Sequence, residues 1–196
     1  MTIYRKRVHR VHEPGDCHEI TFSCYHRLPL LSDDERRGML AVSLNRALRG
    51  QDFRLIAFVF MPEHVHLLVY PVVREPRLDL FLKAIKQPFA FRVKQKLVAE
   101  QSPLLAELTV RERPGVEVFR FWQEGGGYDR NLRSEEALLA SIDYIHLNPA
   151  RRGLCEKAVG WKWSSARHYI GPEGVEDPDL PEVSGVPADF FTLPGP

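Results

Sequence analysis

A broken run of apolar residues near the middle of the chain constrains its fold more than any other feature. Phe53–Met61 has the length of a β-strand, Pro62 and Glu63 interrupt it, and His64–Tyr70 resumes it. Two such runs around a short connection predict a β-hairpin in which the proline lies in the turn. The fold must therefore contain an antiparallel pair of strands.

Strand and helix patterns alternate on either side of this hairpin. β-Branched and aromatic residues predict one strand over His18–His26 and another over Val116–Trp122. Apolar residues at helical spacing predict three helices, over Ser32–Gly50, Leu78–Ala99 and Ser134–Asn148.

Individual residues mark special points in these helices. Ser32 and Glu35 have the spacing of a capping box at the start of the first helix. Pro88 lies in the middle of the second helix, which it is expected to kink or split. Pro149 is expected to end the third helix.

The predicted order of elements is strand, helix, strand, strand, helix, strand, helix. The first six form the split βαβ arrangement of a ferredoxin-like α+β fold, in which an antiparallel sheet has helices packed on one face. The last helix is additional, and we expect it to pack close to the central hairpin. Fold alone does not determine function.

Charge is divided unevenly along the chain. Of 196 residues, 44% are hydrophobic and 27% are charged, which indicates one globular domain and excludes a disordered, collagen-like or membrane-spanning chain. Residues 1–170 hold all 27 basic side chains but only 20 of the 26 acidic ones, a net charge of +7. A basic body suits a polyanionic partner, although a solvated surface explains such a charge as well.

Three regions follow from this division. We expect a basic N-terminal arm over residues 1–14, a folded domain over 15–170, and an acidic, proline-rich, disordered tail over 171–196. Cys17, Cys24 and Cys155 have no metal-binding spacing and are expected to be reduced thiols. With no apolar run of membrane-spanning length and no signal-peptide pattern, the sequence predicts a cytoplasmic protein.

The sharpest local motif is a pair of histidines at the start of the second hairpin strand. Side chains alternate along a strand, so His64 and His66 project from one face while Val65 and Leu67 point to the other. Two adjacent imidazoles can bind a metal ion, but two unrelated histidines beside a turn are also a valid interpretation. A third ligand would have to come from elsewhere, since no cysteine lies nearby in the sequence.

The third predicted helix offers such a ligand. Tyr144 and Asn148 are four residues apart and share one helical face. The Asn148 carbonyl suits a hard divalent cation, and the Tyr144 phenol could attack a phosphorus atom once a metal polarises the phosphate. Both could instead be structural, with Tyr144 in the core and Asn148 at the helix end. His146 faces away from Tyr144 and is expected to be structural.

Four blocks of sequence, in this order, resemble one family. They are MPEHVHLLV (61–69), FWQEGGGYDRNL (121–132), DYIHLNPARRGL (143–154) and WKWSSARHY (161–169). Together they are similar to the single-tyrosine HUH transposases, and specifically to the REP-associated tyrosine transposases. The resemblance covers roughly residues 15–170, which is the predicted folded domain, and does not extend to the acidic tail.

The resemblance implies a transposase that binds hairpin-flanked single-stranded DNA and cleaves and rejoins it. It implies that His64 and His66 bind Mg²⁺ or Mn²⁺, that Asn148 completes the metal site and that Tyr144 is the nucleophile. Attack by Tyr144 would leave a 5′-phosphotyrosine and a free 3′-hydroxyl. Tyr128 is a rival nucleophile because it follows three glycines, but it matches a family position interpreted as structural.

Basic residues from three regions are expected to bind the DNA backbone. They are Arg5, Lys6, Arg7 and Arg10 of the arm, Lys83, Lys86, Arg92 and Lys94 of the second helix, and Arg151, Arg152 and Arg167 beyond the catalytic positions. Trp122, Trp161 or Trp163 could stack on unpaired bases, although core packing explains them as well.

Other functions stay open at this point. One is a non-catalytic protein that binds hairpin DNA or RNA, and another is a metal-dependent nuclease that uses activated water. The resemblance also allows a homodimer and predicts association with the nucleoid.

Overall fold

The fold is described by a computed structural model for residues 16–125, 127–171, 177–186 and 190. The strands are β1 (Cys17–Ser23), β2 (Phe53–Phe60), β3 (His64–Pro71), β4 (Thr109–Arg113), β5 (Val116–Phe119) and β6 (Tyr128–Leu132). The helices are α1 (Asp34–Gly50), α2 (Leu78–Ala99), α3 (Leu104–Glu107), α4 (Glu135–Arg151) and α5 (Ala166–Ile170). None of these described helices is long and apolar enough to cross a membrane. The basic arm lies outside the described residues.

Four strands form an antiparallel sheet in the order β2-β3-β1-β6. β2 and β3 are the predicted hairpin, and α1 and α2 connect the strands on either side of it. This is the strand order of a split βαβ unit, in which the two crossovers place β1 and β3 side by side at the centre. The predicted ferredoxin-like α+β fold is confirmed.

One face of the sheet is covered by α1 and α2. Alternate residues of β3, namely Val65, Leu67 and Val69, are fully buried in the core beneath these helices. From α2, Phe81 and Phe89 are also fully buried there. Because side chains alternate along a strand, His64 and His66 must point to the other face.

That other face is covered by α4. Ile142 and Ile145 of this helix pack with Ile56 of β2 and Leu68 of β3 in a second, smaller apolar cluster. The additional helix therefore packs on the central hairpin as expected, on the face opposite to α1 and α2. This position brings α4 directly over the histidine pair.

The fourth strand of the sheet differs from the prediction. Val116–Trp122 was expected to fill this place, but β5 ends at Phe119 and pairs only with β4, in a separate two-stranded sheet. Phe121 and Trp122 leave the strand and enter the main core. The actual edge strand, β6, has the polar sequence YDRNL, whose pairing with β1 is not visible in its residue pattern.

The first helix begins with a different cap from the predicted one. Asp33 is the N-cap, and its carboxylate accepts a hydrogen bond of 2.8 Å from the Arg36 N–H. The Ser32 hydroxyl instead donates to the Pro29 carbonyl. Glu35 forms an ion pair with Lys96 of α2, so it is not available to complete a capping box.

Neither proline interrupts its helix. α2 runs without a break through Pro88, and α4 continues through Pro149 to Arg151. Loss of one backbone hydrogen bond at Pro88 is offset because Ile85 and Phe89, on either side of it, are both fully buried. Pro149 lies in the last turn of α4, and the helix ends two residues later, at Arg151.

The described part of the acidic tail lies against the body of the protein. Leu180 and Val183 pack on the main core, and the Ser184 N–H donates to the Leu55 carbonyl of β2. Phe190 is buried in the cluster beneath α4. For residues 177–186 and 190, the expectation of disorder is therefore wrong. The acidic and proline-rich composition indicated disorder, but the few apolar side chains of this segment pack on the folded domain.

Candidate functional site

A pocket of about 450 Å³ lies where the start of β3 meets the last turns of α4. Its lining consists of Glu19, Thr21, Arg27, His64, His66, Tyr128, Tyr144, Asn148 and Arg152. The structure thus brings together the four residues that the sequence proposed for chemistry, from two elements about 80 residues apart in the chain. The β3 register supplies the histidines, and the helical repeat of α4 supplies Tyr144 and Asn148.

The two histidines converge on one point. Their Nε2 atoms lie 3.0 Å apart. The Nδ1 atom of His64 lies 3.0 Å from Oε1 of Glu63, and Nδ1 of His66 lies 2.7 Å from the Thr21 hydroxyl. A carboxylate only accepts hydrogen bonds, so Glu63 holds the proton of His64 on Nδ1 and leaves the Nε2 lone pair directed into the pocket.

Both imidazoles are held in their neutral form. Burial lowers the pKa of His66 to about 3, with a further contribution from neighbouring His64. Burial is also the main reason that the pKa of His64 is lowered; Glu63 opposes the change, and the positive charges of Arg152 and Arg27 add to it. Neutral imidazole is the form that binds metal ions.

The donor set fits a divalent cation. Two nitrogen ligands at right angles on an octahedral ion, each about 2.1 Å from it, are about 3.0 Å from each other. That separation matches the observed Nε2–Nε2 distance of 3.0 Å. Within the described residues no three His, Cys, Asp or Glu side chains form a metal-binding group, and the Asn148 amide is the further donor beside the two histidines.

Asn148 and Tyr144 reach the histidines from α4. The Asn148 amide nitrogen lies 3.2 Å from Nε2 of His66, and rotation of the amide by half a turn would present its oxygen instead. The ring of Tyr144 meets His66 edge to face, with 5.5 Å between ring centroids. Tyr144 is 43% exposed, so its phenol is open to a ligand rather than enclosed in the core.

An ion pair closes one side of the pocket. Arg152 donates to the same Glu63 oxygen that binds His64. Burial alone would raise the pKa of Glu63, but the hydrogen bond from Arg152 and the charges around it lower that pKa overall. The Glu63 carboxylate thus links Arg152, at the end of α4, to the candidate metal ligand His64.

His146 lies outside the pocket, as the sequence predicted. Its Nε2 atom is 2.8 Å from the Ser165 hydroxyl, which also accepts a hydrogen bond of 2.9 Å from the Phe58 N–H of β2. Tyr169 packs on the His146 ring and donates to the Ile56 carbonyl. This cluster fastens α4 to β2 and so fixes the height of Tyr144 and Asn148 over the sheet.

Tyr128 is placed on the opposite wall of the same pocket, and it is 58% exposed. It begins β6 and pairs with Thr21 of β1. Gly127, which precedes it, has a φ of +71°, and a Cβ there would collide with the Thr21 carbonyl oxygen. The backbone entering Tyr128 is thus set by close contact with β1 rather than left loose by the glycines.

The predicted DNA-binding residues divide into three groups. Arg5, Lys6, Arg7 and Arg10 lie outside the described residues. Lys83, Lys86, Arg92 and Lys94 belong to α2, which covers the sheet face opposite to the pocket, and none of them lines it. Of Arg151, Arg152 and Arg167, the two at the end of α4 reach the site: Arg152 lines the pocket, and the Arg151 guanidinium lies over the Tyr144 ring at 5.8 Å. Arg167 lies in α5 and does not line the pocket.

Several of these basic side chains have structural contacts instead. Arg92 donates to the Met39 carbonyl of α1, and the Arg167 Nε donates to the Val159 carbonyl. The tryptophans also serve the core: Trp122 and Trp163 are buried, and Trp161 donates to the Phe60 carbonyl.

Sequence reasoning missed three pocket residues, Glu19, Thr21 and Arg27. Glu19 and Thr21 alternate along β1 and so share the face of the histidines, but the register that pairs Thr21 with His66 cannot be seen in the sequence. Arg27 lies in a turn after β1 with a φ of +55°. No local residue pattern predicts this conformation.

With this geometry established, the chain can be compared with known proteins. No protein-family profile matches it. Over 121 residues it is 24% identical to a Haemophilus influenzae protein named as a REP-associated tyrosine transposase; the match covers 62% of this chain and 63% of the relative, so less than two thirds of that protein's length is spanned.

A solved structure shares the fold of this chain. A REP-associated tyrosine transposase bound to a REP hairpin has the same fold, with a TM-score of 0.65, 18% identity and coverage of 96% of both chains. The chain resembles the REP-associated tyrosine transposases in sequence and in fold. The similarity to REP-associated tyrosine transposases suspected from the four sequence blocks is thereby confirmed. A structure of a Deinococcus radiodurans transposase candidate aligns with a TM-score of 0.44, at 20% identity over 76% of this chain and 97% of that one.

Proposed function

We propose that this protein is a transposase that binds single-stranded DNA beside a hairpin, cleaves it, and rejoins it through a 5′-phosphotyrosine on Tyr144. The observation that carries the proposal is the meeting of Tyr144 and Asn148 of α4 with His66 of β3 in one open pocket. The hairpin-bound relative of the same fold supports DNA hairpins as the partner. A tyrosine beside a set of metal ligands can act on the same phosphate that the metal binds.

Tyr144 is the nucleophile of the proposed cleavage step, and its neighbours position its ring. The Tyr144 oxygen bonds to phosphorus while the bond from phosphorus to the 3′ oxygen breaks, and the 3′ end leaves as a hydroxyl. The edge contact with His66 and the Arg151 cation restrict where the Tyr144 ring can lie. Because the phosphotyrosine is itself a phosphodiester, attack by a second 3′-hydroxyl reverses the step and rejoins DNA without an external energy source.

His64, His66 and Asn148 would hold the divalent cation, Mg²⁺ or Mn²⁺. When bound, the cation supplies a Lewis acid that withdraws charge from the phosphate oxygens. Thr21 and Glu63 orient the two imidazoles for that role through their Nδ1 atoms.

The nucleophile is tested by comparing two conservative variants. Tyr144→Phe is expected to fold and to bind hairpin DNA normally but to give no covalent adduct on a denaturing gel, because it lacks only the phenol oxygen. Tyr128→Phe is the matched control, since Tyr128 lines the same pocket, and it should still form the adduct. Mass spectrometry should place the nucleotide on the peptide that contains Asp143–Asn148.

Other outcomes identify the alternatives. An adduct on the peptide around Tyr128 would exchange the roles of the two tyrosines. Cleavage without any adduct would indicate a nuclease that uses activated water, and hairpin binding without cleavage in Mg²⁺ or Mn²⁺ would indicate a non-catalytic binding protein.

Hairpin binding is tested separately from cleavage. We expect a hairpin with single-stranded flanks to bind more tightly than a duplex of equal length, and affinity for both to fall steeply with salt as phosphate contacts release counterions. Equal affinities at several salt concentrations would contradict hairpin recognition.

A further inference from the structure

The turn that follows β1 has an unusual backbone. His26 and Arg27 are consecutive residues with left-handed φ angles of +50° and +55°. L-residues other than glycine, asparagine and aspartate adopt this conformation rarely, and two in succession persist only where the surrounding structure enforces them.

The surroundings of this turn do enforce it. The Cys24 N–H donates to the Glu63 carbonyl, the Tyr25 N–H donates to the Phe121 carbonyl, and the His26 N–H donates to the Gln123 side chain. The turn is thereby tied to the residue before His64 and to the segment that leads into β6. Its position relative to the histidine pair is fixed by backbone contacts on both sides.

The turn directs the Arg27 side chain to the pocket. Arg27 is one of two arginines in the lining, together with Arg152, and it is near enough to His64 for its positive charge to disfavour protonation of that imidazole. Arg152 already forms an ion pair with Glu63, whereas Arg27 forms no ion pair with any residue in the described part of the chain. An exposed guanidinium on a backbone that is held beside the pocket suits an anion that is not part of the protein.

We propose that Arg27, which lines the pocket from the turn after β1, binds the scissile phosphate. This inference rests on the proposed function, and it assigns a binding residue that the motifs do not contain. Arginine donates two parallel N–H groups to phosphate oxygens, and its charge compensates the negative charge that the tyrosine oxygen brings as it approaches. The strained turn is then the device that orients this donor before DNA binds.

The proposal is tested with Arg27→Gly in the full-length protein. Glycine adopts positive φ without cost, so this variant removes the guanidinium while it preserves the backbone of the turn. Arg27→Lys retains the charge but not the paired donors, and it should lie between wild type and Arg27→Gly. Arg74→Ala removes an exposed arginine outside the pocket and is the matched control.

Two substrates then separate phosphate binding from a structural effect. On hairpin DNA with an ordinary scissile phosphate, Arg27→Gly should form the covalent adduct about 10- to 100-fold more slowly than wild type. On the same DNA with a methylphosphonate at that position, which removes the negative charge, wild type and Arg27→Gly should react at nearly equal rates. Equal loss on both substrates would show that Arg27 acts only on the structure, and no loss on either would also overturn the proposal.

A binding measurement distinguishes this inference from the proposed function. In the Tyr144→Phe background, which cannot react, Arg27→Gly should weaken binding of the phosphodiester DNA and leave binding of the methylphosphonate DNA unchanged. If wild type forms no adduct but this difference in affinity is present, the transposase proposal fails and phosphate binding by Arg27 stands. If wild type forms the adduct and the difference is absent in both assays, only the Arg27 inference fails.

Discussion

The hydroxyl of Thr21 lies 2.7 Å from Nδ1 of His66, across the pairing of β1 with β3. Partners of this kind orient a metal-binding imidazole and typically change metal affinity about 10- to 100-fold. Thr21→Val removes the hydroxyl and keeps the shape, so we expect Mn²⁺ affinity to fall by about tenfold or more, as measured by titration calorimetry. Thr109→Val, which removes a hydroxyl bonded to the Leu105 carbonyl on a different part of the protein, is the control. Equal affinities would mean that the Thr21 hydroxyl does not orient a metal-binding imidazole.

Divalent cations should stabilise the folded protein. A ligand that binds only the folded state at about 100 times its dissociation constant adds about 2.7 kcal/mol to the free energy of unfolding. Mn²⁺ is therefore expected to raise the melting temperature, and His64→Ala should abolish the increase. His168→Ala, a change to an exposed histidine outside the pocket, should preserve it. An increase that survives His64→Ala would place the ion elsewhere.

Ser165→Ala should destabilise the protein, although Ser165 itself does not line the pocket. The change leaves the Phe58 N–H and the His146 ring without the hydroxyl that both contact. An unpaired buried polar group costs about 1–3 kcal/mol, which urea denaturation can resolve. Ser32→Ala removes an exposed hydrogen bond and should cost less than about 0.5 kcal/mol. Similar losses for the two variants would contradict the role of Ser165 in fastening α4 to β2.

Gly127 and Gly125 provide a matched pair of glycines. Both have positive φ, +71° and +100°, but only at Gly127 would a new Cβ collide with the Thr21 carbonyl. Each alanine substitution should cost about 1–2 kcal/mol for its backbone conformation, and Gly127→Ala should cost about 1–3 kcal/mol more for overpacking. Thermal denaturation of the two variants measures the difference, and equal melting temperatures would show that β6 can shift away from β1.

The central fold could be predicted because its signals are local. The apolar runs of β2 and β3 and the helical spacing of α2 identify those elements wherever they pack. The edge strand β6 was missed because its sequence is polar and its stability comes from pairing with β1. Whether the second helix continues through Pro88 could not be predicted, because its continuity depends on the burial of Phe89 in the core, which is a tertiary effect.

The candidate site was predictable in its motifs but not in its surroundings. His64 and His66 share a strand face, and Tyr144 and Asn148 share a helix face, so each pair follows from the period of one element. Thr21 and Arg27 depend on strand register and on a left-handed turn, for which the sequence has no marker. The α2 lysines were assigned to DNA from charge alone, and charge does not report which face of a sheet a helix covers.

Tyr144 contacts His66 of its own chain, because α4 packs on the same sheet that carries the histidines. Under the proposed function, one molecule therefore supplies both the nucleophile and the metal ligands for one strand cleavage. Excision of a DNA segment needs two cleavages, so either one molecule completes two turnovers or two intact molecules act side by side. Mixing wild-type and Tyr144→Phe chains distinguishes these stoichiometries: activity should be proportional to the wild-type fraction when molecules act alone, and to the square of the wild-type fraction when two active molecules are needed.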